Sequence, residues 1–101
     1  MENLTVPLTV VDNVERSRFE LVRDGDVVGF ADYRAGGPEG SPVVFPHTVI
    51  DRDKRGQGLG AILVRGALDQ IREQGRTIDP QCWYVAEFVE THADYADLVA
   101  R

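Results

Sequence analysis

With 101 residues, 43% hydrophobic and 28% charged, the chain has room for one modest core and no separate substrate domain, so residues 1–101 read as a single compact domain. A net charge of −6 argues against nucleic acid as a partner, because its phosphates demand an excess of Lys and Arg, and a single cysteine excludes an internal disulfide framework. No apolar run is long enough to cross a bilayer, and Met1 to Thr9 lacks a basic region leading into an apolar one, so a cytoplasmic protein with no membrane partner is expected.

Phe19 to Arg23 alternates apolar and polar side chains, Asp24-Gly25 has the composition of a type I′ turn, and Val27 to Tyr33 resumes the alternation. This pattern predicts a β-hairpin. Ala35 to Pro42, with three glycines and two prolines, is a loop, and Val43 to Ile50 follows as a third strand. Pro46 cannot donate a ladder hydrogen bond, which implies an edge or a bulge at that point. From Gly58 to Gln74, Arg65, Asp69, Arg72 and Glu73 gather on one helical face, while Leu59, Ile62, Leu63, Val64, Ala67, Leu68 and Ile71 fill most of the rest. Such a helix packs on a sheet, and Gly75 stops it. Thr77 to Gln81 reads as a short strand weakened by Pro80, Trp83 to Glu90 as a helix with Val85, Phe88 and Val89 inward, and a last short helix starts at Asp94. The order β-β-β-α-β-α-α makes an α+β fold whose section from Val43 to Gln81 is expected to be a right-handed parallel crossover, with a ligand site at the strands' carboxyl ends.

Gly56, Gly58 and Gly60 alternate between that third strand and the helix, where backbone N–H groups aligned with the helix dipole form an anion site. Arg52, Lys54 and Arg55 directly precede them and supply charge-assisted contacts to phosphate, which favours a small anionic ligand over a polyanion. A P-loop would end in Gly-Lys-Ser/Thr, which is missing, and a dinucleotide fingerprint would place a glycine where Ala61 stands. The same glycines also suit a tight strand-to-helix turn that binds nothing.

Arg55, Gly58 and Gly60 occupy the fixed positions of the pattern Gln/Arg-x-x-Gly-x-Gly/Ala, and on these residues the chain resembles the Gcn5-related N-acetyltransferase superfamily. It is more closely similar to the compact N-acetyltransferase-domain proteins of this size, through His47-Thr48 and the run Cys82-x-Tyr84-Val85-x-x-Phe88-Val89-x-x-His92-x-x-Tyr95. The resemblance spans residues 17–99 in outline and implies a minimal acyl-CoA N-acyltransferase-like fold. It implies acetyl-CoA as cosubstrate, with the pyrophosphate held by Arg52, Lys54, Arg55, Gly56, Gln57, Gly58, Leu59 and Gly60. The pantetheine would then run between Val43–Ile50 and Thr77–Gln81 toward an amine acceptor, small molecule or protein. The chain departs from larger members in lacking the pair of helices between the first two strands, the C-terminal strands that wall the acceptor site, and a Glu on the third strand.

Acetyl transfer needs a base for the amine, donors for the carbonyl oxygen and an acid for the departing thiolate. His47 is the candidate base, since an imidazole exchanges protons near neutral pH, or else an ordinary hydrogen-bonded strand histidine. Cys82, at a helix start, is a candidate acyl carrier or a buried small hydrophobe. Tyr84, and with it Tyr95, is a candidate acid or a core aromatic. Trp83 is assigned to packing ahead of pantetheine contact, and two histidines with one cysteine give no zinc-ligand spacing. Two mechanisms follow, direct attack aided by His47 or a two-step route through acetyl-Cys82. The competing class is a noncatalytic CoA-binding or interaction module.

Overall fold

A computed structural model describes residues 7–38, 40–52 and 56–100. Its first strand, β1 (Leu8–Asn13), is joined to β2 (Arg18–Arg23) by a 3-10 turn at Val14–Arg16. The Asn13 side chain accepts from the Arg16 N–H at 3.2 Å and caps this turn, and Ser17 leaves it in the left-handed region at φ 53°. β1 corrects the expected order, which began at Phe19. It is an edge strand whose side chains are nowhere fully buried, so its sequence carries only a faint alternation.

Asp24 and Gly25 both take positive φ, 52° and 82°, and turn the chain into β3 (Asp26–Ala35), as a type I′ hairpin requires. β4 (Val43–Ile50) runs antiparallel to β3. The helix α1 (Leu59–Glu73) then leads to β5 (Ile78–Asp79), which pairs parallel with β4. The helix α2 (Trp83–Thr91) and a 3-10 helix at Ala93–Leu98 complete the described chain. The sheet order β1-β2-β3-β4-β5 upholds the α+β class. Two expected boundaries change: the last strand shrinks from Thr77–Gln81 to Ile78–Asp79, and the final helix is 3-10. No helix among the described residues is long and apolar enough to cross a membrane.

α1 lies across one face of the sheet, where Leu63, Val64, Ala67, Leu68 and Ile71 are buried with Phe19, Leu21, Ala31, Phe45 and Ile78. Each of these Val, Leu, Ile and Phe side chains contributes about 1.5–3 kcal/mol, so the helix and the glycine turn at its start are firmly anchored. Gly66 allows β1 to come close: a Cβ on it would stand 2.7 Å from Val10 Cβ. The Gln70 amide donates to the Val10 carbonyl at 2.8 Å and holds the edge strand to the helix.

The irregularity that Pro46 demands is present. Pairing runs from Asp32↔His47 to Arg34↔Val44, so Tyr33 alone faces Phe45 and Pro46 together. Beyond this bulge the register is regular and sorts side chains by face. Phe19, Ala31 and Thr48 share the α1 face, and Arg18, Asp32 and His47 share the open face.

Tyr33 spans the α1 face of β2: its hydroxyl donates to Asp12 Oδ1 at 2.6 Å and its ring packs on Phe19 with centroids 5.3 Å apart. Burial first, and then the Asp12 hydrogen bond, push the phenol up to about 12 from its ordinary 10.0. A raised folded value means stability that is complete below the unfolded value and is lost as pH climbs through the folded one. Urea unfolding is therefore expected to show a loss of stability between pH 10.0 and about 12 that is smaller in Tyr33→Phe.

Candidate functional site

The site begins where two parallel strands part. β4 and β5 pair only at Val43↔Ile78 and Val44↔Asp79. The Gln81 N–H then donates back to the Asp79 carbonyl at 3.0 Å across Pro80, a three-residue turn whose centre suits the fixed φ of proline. One further bond, from the Cys82 N–H to the Phe45 carbonyl at 2.7 Å, ties the chain back before α2 starts. From Pro46 onward β4 therefore has no β5 partner among the described residues. The Asp51 N–H donates to Val28 O at 2.9 Å, so by alternation Val49 and His47 direct their backbone groups to β3. The N–H and C=O of Thr48 consequently face the side that β5 has left. A cleft of about 420 Å³ occupies this place, lined by Thr48, Val49, Ile50, Cys82, Trp83 and Tyr84.

The glycine turn adjoins the cleft. Gly56 and Gly58 have φ of 85° and 75°, and a Cβ on either would meet no described atom within 4 Å. Their need for glycine is thus conformational, and the space above them is open. Gly58 caps α1 without a side-chain bond, and the Ile62 N–H reaches its carbonyl at 3.4 Å, so the N–H groups of the first turn, Leu59 to Ala61, are donors that the helix itself does not satisfy. Leu59 is buried and offers only its backbone; Gln57 and Arg52 are exposed. Lys54 and Arg55 lie outside the described residues. At Gly60 the constraint is contact: a Cβ would stand 2.5 Å from the Tyr84 hydroxyl and 2.7 Å from Tyr84 Cζ. The start of α1 and the first turn of α2 thus pack through a glycine and a tyrosine ring.

Cys82 is buried, caps α2, and directs Sγ at Thr48 Oγ1 at 3.7 Å. Tyr84 is half-buried, and burial followed by the Glu87 charge raises its phenol above the ordinary value, which keeps it protonated at neutral pH. His47 stands one residue from Thr48 but on the opposite face of the sheet, 56% exposed, with Nε2 at 2.6 Å from Asp32 Oδ2. The fold therefore gathers Cys82 and Tyr84 at one cleft, joins the glycine turn to it through the contact of Gly60 with Tyr84, and holds His47 across the β4 edge from them.

The other candidates fall elsewhere. The Tyr95 hydroxyl donates to Asp69 at 2.6 Å and accepts from Arg65 at 3.3 Å, within the packing of the 3-10 helix on α1. His92 stacks on Phe88 with centroids 3.9 Å apart. Trp83, expected to pack, is 74% exposed at the cleft rim. Two residues stand in or beside the site without having been singled out for it: Thr48, whose place beside His47 was the only cue, and Asp32, whose tie to His47 depends on strand register.

A five-stranded mixed sheet with a helix across one face and a second helix beyond its parted parallel pair fits an N-acetyltransferase-like domain. The family model described as GCN5-related N-acetyl-transferase matches residues 18–98, from the start of β2 to the end of the 3-10 helix, and the chain belongs to that family. A search of curated proteins found no match.

Gly60→Ala separates the roles of turn and ring. Alanine favours the helix by about 1 kcal/mol, and displacing the ring costs about 1–3 kcal/mol, so urea unfolding should show a net loss of no more than about 2 kcal/mol. If CoA lies along this cleft, its calorimetric affinity should fall about tenfold, or about 1.4 kcal/mol, as Tyr84 is pushed into it; unchanged affinity would separate this contact from the binding site.

Proposed function

We propose that this protein is an acetyl-CoA-dependent N-acetyltransferase acting on an amine, with the cosubstrate laid along the open edge of β4. The observation that carries this reading is the cleft itself, in which the free backbone edge at Thr48 and Cys82 meet, with the glycine turn of α1 joined to its rim through the contact of Gly60 with Tyr84. The unsatisfied N–H groups of Leu59 to Ala61 suit a pyrophosphate, with Arg52, Lys54 and Arg55 assigned to the same task. The backbone groups of Thr48 suit the pantetheine amides, which pair as an added strand would.

In the direct route the protonated amine gives a proton to His47, and its nitrogen attacks the thioester carbon from the open face of the sheet. The C–N bond forms, the C–S bond breaks, and the second proton that the nitrogen sheds passes to solvent. The departing thiolate is stabilised by a hydrogen bond from Tyr84; a phenol held above its ordinary value donates such a bond without surrendering its proton, so the thiol's proton comes from solvent. In the two-step route the Cys82 thiol loses its proton and attacks the same carbon. CoA leaves as thiol with the proton that Cys82 gave up, and the neutral amine then displaces the Cys82 sulfur from acetyl-Cys82, the proton shed by its nitrogen restoring the Cys82 thiol.

A noncatalytic CoA-binding module is the second reading. It is favoured by the connection between β1 and β2, a 3-10 turn of three residues that builds no wall over the open face.

Release of CoA thiol with a panel of amines tests the proposal. Turnover is expected with at least one amine and should fall about 100-fold or more in His47→Ala. CoA binding without thiol release from any amine would favour the module instead, and no thermal shift in millimolar CoA would remove both readings. Intact mass after mixing with acetyl-CoA separates the routes: an acetyl adduct lost in Cys82→Ser is the mark of the covalent one, and productive turnover without an adduct is that of the direct one.

A further inference from the structure

We propose that Asp32 is a positioning residue that fixes the neutral His47 imidazole as the tautomer protonated on Nε2, so that Nδ1 is the atom that receives the acceptor's proton. The role of Nδ1 rests on the reading of His47 as base given above; the tautomer does not.

Asp32 Oδ2 and His47 Nε2 are 2.6 Å apart, and their residues are direct partners in the β3–β4 ladder. An ionised carboxylate only accepts hydrogen bonds, so the hydrogen between them belongs to Nε2 and the lone pair of the neutral ring lies on Nδ1. The register cannot drift by one residue without exchanging the two faces of β4, because Ala31↔Thr48 and Gly29↔Ile50 belong to the α1 side. The ring is further confined by the Phe30 edge, with centroids 6.4 Å apart and planes at 73°.

The neighbouring charges leave Asp32 to the histidine. Arg18, directly across from Asp32 on β2, is the competing cation. Its guanidinium lies over the Phe30 ring at 4.3 Å and its Nε donates to Glu20 at 2.8 Å. Glu20 also accepts from Asn13 of β1 at 3.0 Å. Arg18 and Glu20 thus neutralise each other, and Asp32 and His47 form a separate pair on the same open face. A merely structural contact at such exposure would contribute little to stability and would leave the rate unaffected.

Nitrogen-15 NMR of the neutral imidazoles reads the tautomer directly, with His92 distinguished through a His47→Gln variant. The expected spectrum of the wild-type protein shows His47 with hydrogen on Nε2 and a bare Nδ1, and Asp32→Ala shows a mixture of both forms. Hydrogen mainly on Nδ1 in the wild type, or a spectrum unchanged in Asp32→Ala, would overturn the proposal whether or not the protein turns over. With a productive amine, Asp32→Ala should lower kcat roughly 10–100-fold, the range for groups that orient a functional imidazole, at unchanged KM for acetyl-CoA. Asp32→Ala combined with His47→Ala should be no slower than His47→Ala alone. Additive losses, or a kcat within twofold of wild type in Asp32→Ala, would contradict it. Absence of turnover with every amine would remove the catalytic reading while the NMR result still decided whether Asp32 sets the tautomer.

Discussion

The structure depends on the early parting of β4 and β5. A parallel pair continued past Val44 would occupy the backbone edge of β4 with strand hydrogen bonds and leave nothing for a ligand to pair with. Pro80 prevents this, since it has no N–H to offer and sits at the centre of the turn closed by Gln81 and Asp79. The bond from Cys82 to Phe45 limits the separation and sets where the helix begins, which brings the sulfur opposite Thr48. An open edge and a cysteine sulfur facing it are thus consequences of one backbone event.

That gap is useful only if its walls are fixed, and each is anchored by a different interaction. The glycine turn is held by α1, whose apolar side chains are among the most deeply buried in the molecule. α2 is held against α1 by the contact of Gly60 with Tyr84. The far side of β5 is covered by Val99 in an isolated parallel bridge, with the Ala100 N–H donating to Ile78 O at 2.9 Å. The segment before it is fastened to α1 by Tyr95 on Asp69 and by the two-pronged Arg72–Asp97 pair at 3.0 and 3.1 Å.

Local chemistry made most of the elements legible in the sequence. Asp24-Gly25 fixed the hairpin because few residues adopt positive φ in succession, and Pro46 announced a bulge because it lacks a donor. α1 and α2 follow their apolar periodicity to within a residue at most ends. β1 was hidden because an edge strand buries too little to impose a pattern, and the length of β5 was hidden because Pro80 weakens a strand without saying where it diverges. At the site, the glycines, Cys82 and Tyr84 drew attention through motif and resemblance. The separation of His47 from Cys82 by the sheet did not, because the face a side chain takes after a bulge is set by cross-strand register. The same holds for Asp32, which lies fifteen positions before His47 and meets it only through the ladder.

The central claim is that acetyl-CoA replaces the missing stretch of β5 along β4. A crystal structure of the protein grown with acetyl-CoA tests it most directly. The account predicts the pyrophosphate on the N–H groups at the start of α1, pantetheine amides bonded to the backbone of Thr48, and the thioester between Cys82 and the β4 edge. Acetyl-CoA bound elsewhere, or a β4 edge closed by protein in the complex, would contradict it.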